Sequence, residues 1–274
     1  MKDLPRLTQV DIEPFYFGPS ATRLFGCYQA PLPGRRRSCG VVLCYPMGHE
    51  YIAGHRAYRQ LAFRLSQAGF PVLRFDFYGC GDSAGDSGHG HVSRWLEDIA
   101  TAVAEIRKKT DVAKLCLVGL RLGGSLAMMA GDQRNDIDGI ALWDPVVDGK
   151  SYIQELISAH QEMLRQYYVQ GEAIWTEEEM TEILGFPLTE LMLAELSEVN
   201  LLAIRSKPAN RILVIKSNRE AVWNRLREHL HSLTIPCEFQ QVPGPQIWKE
   251  DMNRVLVPSP ILDALVSWLS GVYR

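Results

Sequence analysis

Apolar residues along this chain come in two rhythms. Near-continuous runs, "CGVVLCYP" (39–46), "FPVLRFDF" (70–77), "KLCLVGL" (114–120), "DGIALWDPVV" (138–147) and "RILVIKS" (211–217), have the pattern of strands buried on both faces. Between them the spacing turns helical. Tyr58, Leu61, Ala62 and Leu65 share a face that Gly69 ends. A second helix starts at about Ser93, with Trp95, Ile99, Val103 and Ile106 inward and Arg107, Lys108 and Lys109 at its C-terminal end. Near the start, "EPFYFG" and "TRLFGCYQA" flank Gly-Pro-Ser and predict an antiparallel hairpin. Strands alternating with helices require crossover connections, so the pattern predicts an α/β fold with a mostly parallel sheet flanked by helices.

The rhythm changes between 150 and 208, where only helical spacing remains. Tyr152, Leu156, Met163 and Tyr167 form one stripe, and "TEEE" at 176–179 is a capping box. The division read from this is core 1–149, an inserted helical cap 150–208, and core 209–274. In the last part an amphipathic helix runs through Trp223 and Leu226, and "CEFQQVPG" is a strand. A final helix follows, with Ser259 as cap and Pro260 in the first position, burying Ile261, Leu265 and Trp268.

Composition adds little. In 274 residues, 46% hydrophobic and 22% charged, there is apolar material for one large core or a core plus a small subdomain. A net charge of −3 gives no reason to expect nucleic acid or an anionic membrane as partner, and Arg35-Arg36-Arg37 after Pro33-Gly34 reads as a solvated loop. "MKDLPRLTQVDIEPF" has no apolar leader core and no segment approaches the ~20 apolar residues that span a bilayer, so a cytoplasmic protein is expected. The six cysteines lack CxxC pairs and read as reduced core residues. His89 and His91 lack a third ligand at metal spacing, so neither metal nor cofactor is expected.

Three motifs carry the chemistry: "YPMGHE" (45–50), "RFDFYGCGDSAGD" (74–86) and Gly119-Leu120-Arg121-Leu122-Gly123. With the element order, they resemble the α/β-hydrolase superfamily with a cap, and most closely its serine-aminopeptidase-like branch, which includes exosortase-A-associated hydrolases. The first motif is similar to the His-Gly oxyanion loop, the second to the D-x-x-G-x-G-x-S segment, and the third falls on the G-x-S-x-G nucleophile elbow. The resemblance implies hydrolase chemistry. It also implies a setting beside natural-product or exopolysaccharide-linked biosynthesis, with a carrier protein or biosynthetic enzyme as partner.

The chain departs from that pattern where the chemistry would occur. Arg121 stands in the serine's place, and a guanidinium only donates hydrogen bonds and is always protonated, so an acyl-enzyme at this position is excluded. Ser125 lies four residues on and has left the turn. No histidine follows His231, and the family's histidine position falls near Gln246 or Trp248. For the acid, Glu220 is a loose match and Asp144 sits at an alternative location. The backbone N–H groups of Leu122 and Met47, a helix N-terminus and Arg121 leave an anion-binding corner.

Two readings of Arg121 stay open. It pairs with Asp144, Asp76 or Glu50 and plugs the pocket, or it grips a substrate carboxylate, phosphate or enolate. His49 is a candidate base from the oxyanion side, and His55 flanks the same loop. Cys80 is either a small turn residue or a thiolate paired with a histidine. Tyr45, Tyr78 and Trp143 fall beside the pocket position as packing or substrate contacts. The function expected is binding of an acyl or anionic small metabolite, with catalysis by Arg121, His49 and Asp144 that forms no acyl-enzyme. A lyase, cyclase, isomerase or water-mediated hydrolase would fit. The rival is an inactive binding or scaffold protein.

Overall fold

A computed structural model describes residues 11–167, 182–217, 222–249 and 256–273. The apolar runs become the strands of an eight-stranded sheet. Its strands are β1 (Ile12–Phe17), β2 (Leu24–Gln29), β3 (Cys39–Cys44), β4 (Val72–Phe75), β5 (Lys114–Leu120), β6 (Gly139–Trp143), β9 (Arg211–Lys216) and β10 (Cys237–Gln241), in the order β1-β2-β4-β3-β5-β6-β9-β10. β1 and β2 form the antiparallel hairpin, with Phe15 opposite Gly26, and β2 joins β4 antiparallel. From β4 to β10 every pairing is parallel, so all these strands end on the same side of the molecule. In open parallel sheets that carboxyl edge is where ligands bind.

Helices cover both faces. α1 (Gly48–Gln67) and α7 (Ser259–Val272) bury Tyr58, Leu61, Leu65, Leu262 and Leu265 on one face. α2 (Val92–Thr110), α3 (Leu122–Asp132) and α6 (Val222–Ser232) bury Ile99, Val103, Leu126 and Leu226 on the other. One helix start differs from the sequence reading. Pro258, not Ser259, caps α7, because Ser259 N–H already donates to Val257 O (2.8 Å) and its hydroxyl makes no cap bond. Its Oγ instead accepts from Arg64 Nη2 at 2.9 Å. Pro260 is therefore in the second position. α2 begins at Val92, and its first turn is capped from outside: Glu195 accepts from Ser93 N–H (2.7 Å) and Ser93 Oγ (2.9 Å).

Between β6 and β9 lie α4 (Gly149–Tyr167), a short hairpin of β7 (Glu182–Ile183) and β8 (Phe186–Pro187), and α5 (Glu190–Ser197). α4 packs on α5, and a Cβ on Gly149 would lie 1.7 Å from Leu196 O, so only glycine fits that contact. Tyr152 and Leu156 are buried as the stripe requires, whereas the Tyr167 side chain, the 176–179 capping box and Glu220 lie outside the described residues. Among the described residues no helix is long and apolar enough to cross a membrane. All six cysteines are free thiols.

Candidate active site

β5 ends, the chain reverses at Arg121, and α3 begins at Leu122. Arg121 has φ 52° and ψ −126°, a conformation that side-chain-bearing residues rarely adopt. The flanking glycines permit it. A Cβ on Gly123 would lie 2.2 Å from Cys44 O and 2.3 Å from Tyr45 O, and one on Gly119 2.4 Å from Gly123 backbone. The turn is therefore held by the close approach of α3 to β3 and β5. It is pinned further by Arg121 N–H donating to Trp143 O (3.0 Å) and by Arg121 O accepting from Gly124 N (3.0 Å) and Ser125 N (3.2 Å). Ser125 is fully buried and its hydroxyl donates to Val146 O at 2.6 Å, which occupies its proton inside the core.

Arg121 is only 8% exposed, and its side chain is held by two carboxylates. Nε donates to Glu50 Oε1 at 2.9 Å, and Nη2 donates to Glu155 Oε2 at 2.6 Å. Glu50 comes from the first turn of α1 and Glu155 from α4, so the guanidinium joins the two helices. Tyr152, one helical turn before Glu155, donates its hydroxyl to Glu50 Oε2 (2.9 Å). The guanidinium carbon lies 5.3 Å from the Tyr152 ring centroid and 5.0 Å from that of Trp248, within cation–π range of both. Lys249 Nζ lies 3.4 Å from Glu155 Oε1, so two cations face two carboxylates.

Protonation follows from these contacts. Burial alone would lower the Arg121 pKa, but Glu50 and Glu155 outweigh it and raise it. Burial would likewise raise Glu155, yet Arg121 and then Lys249 hold it below the usual carboxylate range. His49 is pushed down, chiefly by burial, so its imidazole is neutral at pH 7. Its Nε2 lies 3.2 Å from Trp248 O, which can only accept; the neutral ring therefore carries its proton on Nε2 and leaves Nδ1 as the basic nitrogen.

Other candidate residues spread around this cluster. Met47 caps α1 and Leu122 opens α3; neither backbone N–H has an acceptor among the described residues. Met47 and His49 line a small, open-mouthed pocket with room for about one water molecule, together with Gly48, Leu156, Ile183, Phe186, Pro187 and Leu188. Gln246 lies in the turn before Trp248, its carbonyl accepting from Lys249 N at 2.8 Å. Asp144, with φ 43°, is buried and accepts from Ser217 N–H at 2.9 Å, next to the elbow but bound to the β9 end. Asp76 accepts from Tyr51 Oη (2.9 Å) and Asp82 N (3.1 Å). Trp143 is buried with its ring 6.5 Å from that of Trp248.

Tyr45 is also buried, its ring 4.4 Å from Tyr58 and 5.0 Å from Tyr51, as part of an aromatic stack. Tyr78 and Cys80 belong to the loop after β4. There Tyr78 sits under Arg94, 4.9 Å from guanidinium carbon to ring centroid, and its N–H donates to Asp98. Burial, then Asp76 and Asp98, push the Cys80 thiol up to about 12, which rules out a thiolate there at neutral pH. Sequence reasoning missed Glu155, Tyr152 and Lys249. Residues 152 and 155 share one face of α4 by spacing, but which face meets the elbow is decided by the tertiary fold.

The sequence model of the serine aminopeptidase S33 family matches residues 40–184, just over half of the chain. The chain belongs to the serine aminopeptidase S33 family. The match spans all three motifs, including the Gly119–Gly123 elbow in which this S33 family member carries arginine. Solved structures agree on the fold. A hypothetical protein from Pseudomonas aeruginosa is 14% identical with a TM-score of 0.67, over 98% of this chain and 95% of that one. Est1E from Butyrivibrio proteoclasticus is 15% identical, TM-score 0.63, over 94% and 96%. An esterase from Pyrococcus furiosus is 14% identical, TM-score 0.63, over 99% and 94%. No curated protein matches the sequence.

Proposed function

We propose that this α/β-hydrolase-fold protein binds an acyl or anionic small metabolite at the elbow and acts on it without an acyl-enzyme. One observation carries the reading: a permanently charged guanidinium occupies the strained turn, paired with Glu50 and Glu155. Such a group cannot attack a carbonyl, but it can hold or polarise negative charge beside backbone N–H donors. His49, neutral and with Nδ1 unprotonated, supplies the base that lyase, cyclase, isomerase or water-mediated hydrolytic chemistry needs. A second reading, an inactive scaffold or binding protein, is favoured by the carboxylates already on Arg121, which neutralise it within the chain.

The test is intact-mass analysis after incubation with a fluorophosphonate probe. No adduct is expected. An adduct that disappears in Ser125→Ala or any other serine variant would overturn the reading, because it would mean that a nucleophilic serine persists.

A further inference from the structure

We infer that Glu155 occupies the seat of a ligand carboxylate, and that the site takes a small monocarboxylic acid in exchange for it. This rests on the anion-binding reading above and gives that ligand a chemical class. The two carboxylates on Arg121 are not equivalent. Glu50 is 1% exposed, is rooted in α1, and is fixed on its other oxygen by Tyr152. Glu155 is 36% exposed, comes from α4, and among the described residues bonds only to Arg121 and Lys249, which is itself half exposed. Turning Glu155 outward gives up two ion pairs, one of them to a half-exposed lysine; turning Glu50 outward would give up a buried ion pair and the Tyr152 hydrogen bond.

Charge then sets the ligand. With Glu155 withdrawn, Arg121 and Lys249 face Glu50 alone, a surplus of one positive charge beside buried aromatic rings. A monoanion restores neutrality, whereas a dianionic phosphate leaves a net negative charge that a poorly solvated site disfavours. A planar carboxylate also matches the edge of a guanidinium, which can offer two parallel N–H donors. Two further donors lack partners: the indole Nε1 groups of Trp143 and Trp248 are buried and have no acceptor among the described residues. The Trp248 ring lies against Arg121, and Trp143 lies against Trp248. Buried donors are nearly always satisfied, and leaving one unpaired costs about 1–3 kcal/mol, so an acceptor supplied from outside the chain would relieve them.

Hexanoate serves as the probe, with hexanamide as its uncharged match and inorganic phosphate, at about pH 8.5 where its dianion predominates, as the dianion. Binding is read by tryptophan fluorescence titration on the full chain. Wild type should bind hexanoate weakly. Glu155→Gln, which removes the competing charge and keeps the side-chain shape, should bind it about tenfold more tightly, the factor that about 1.4 kcal/mol represents. Hexanamide and phosphate should gain nothing. Lys249→Met introduced into Glu155→Gln should reverse the gain, a control on an exposed residue that leaves folding intact. Equal hexanoate affinity in wild type and Glu155→Gln, or hexanamide binding as tightly as hexanoate, would overturn the exchange. Fluorophosphonate labelling would sink the parent reading independently of this titration.

Discussion

Arg121 is a buried cation whose environment was built around it, so its removal should be felt as stranded charge. Replacing it with Met leaves the carboxylate of Glu50 1% exposed, without its cation. Breaking a buried pair from one side costs about 3–5 kcal/mol, while replacing both partners together is often nearly neutral. Arg121→Met should therefore lower the urea midpoint steeply, and Arg121→Met with Glu50→Gln should recover more than half of the loss. Equal midpoints for the single and double variants would contradict the pairing.

Glu155 adds a pH signature. Its folded-state pKa lies below the unfolded value, so its contribution is complete above the unfolded pKa and is lost as pH falls through the folded one. The wild type should lose thermal stability faster than Glu155→Gln on acidification from about pH 5 to pH 3, the range in which a depressed carboxylate titrates. At neutral pH the two should differ by only about 1 kcal/mol or less, because Glu155 is more than a third exposed.

At the scale of elements, the elbow is a contact between a helix and two strands. Gly123→Ala drives a Cβ to 2.2 Å from Cys44 O, which backbone alone cannot yield, so this variant should express poorly or melt far below the parent. Gly271→Ala, near the end of α7 with nothing within 4 Å of the new Cβ, should be neutral or stabilise by up to about 1 kcal/mol in the same melting experiment.

These elements were largely readable in advance. Continuous apolar runs mark doubly buried strands, and Gly-Pro-Ser marks the hairpin, because both signals are local. The start of α7 was misplaced because the Ser259 hydroxyl is taken by Arg64, nearly two hundred positions earlier. Glu50 could be named as a partner of Arg121 from the oxyanion-loop motif. Glu155 could not, because no pattern within α4 says which of its faces meets the turn after β5.

Across the whole molecule, all six thiols are pushed above their ordinary pKa, chiefly by burial, from Cys27 at the hairpin to Cys237 at the far edge of the sheet. The folded protein should react slowly with Ellman's reagent at pH 7, and six equivalents should appear at once in guanidinium chloride. A rapid equivalent in the native state, lost in Cys80→Ser, would show that the loop after β4 opens in solution. The carboxyl edge of the sheet gathers the reversed backbone at Arg121 and Asp144, the neutral His49 and the paired charges.

Because the turn at residue 121 is braced by glycine contacts rather than by whatever side chain it displays, it works as a socket. Installing serine there would inherit a ready-made backbone and vacate the room filled by the guanidinium. A proton acceptor would still have to be engineered into the segment around Gln246, with Glu50 and Glu155 neutralised in the same design. The distance from this protein to a working esterase is thus measured in side chains, with no rebuilding of the main chain.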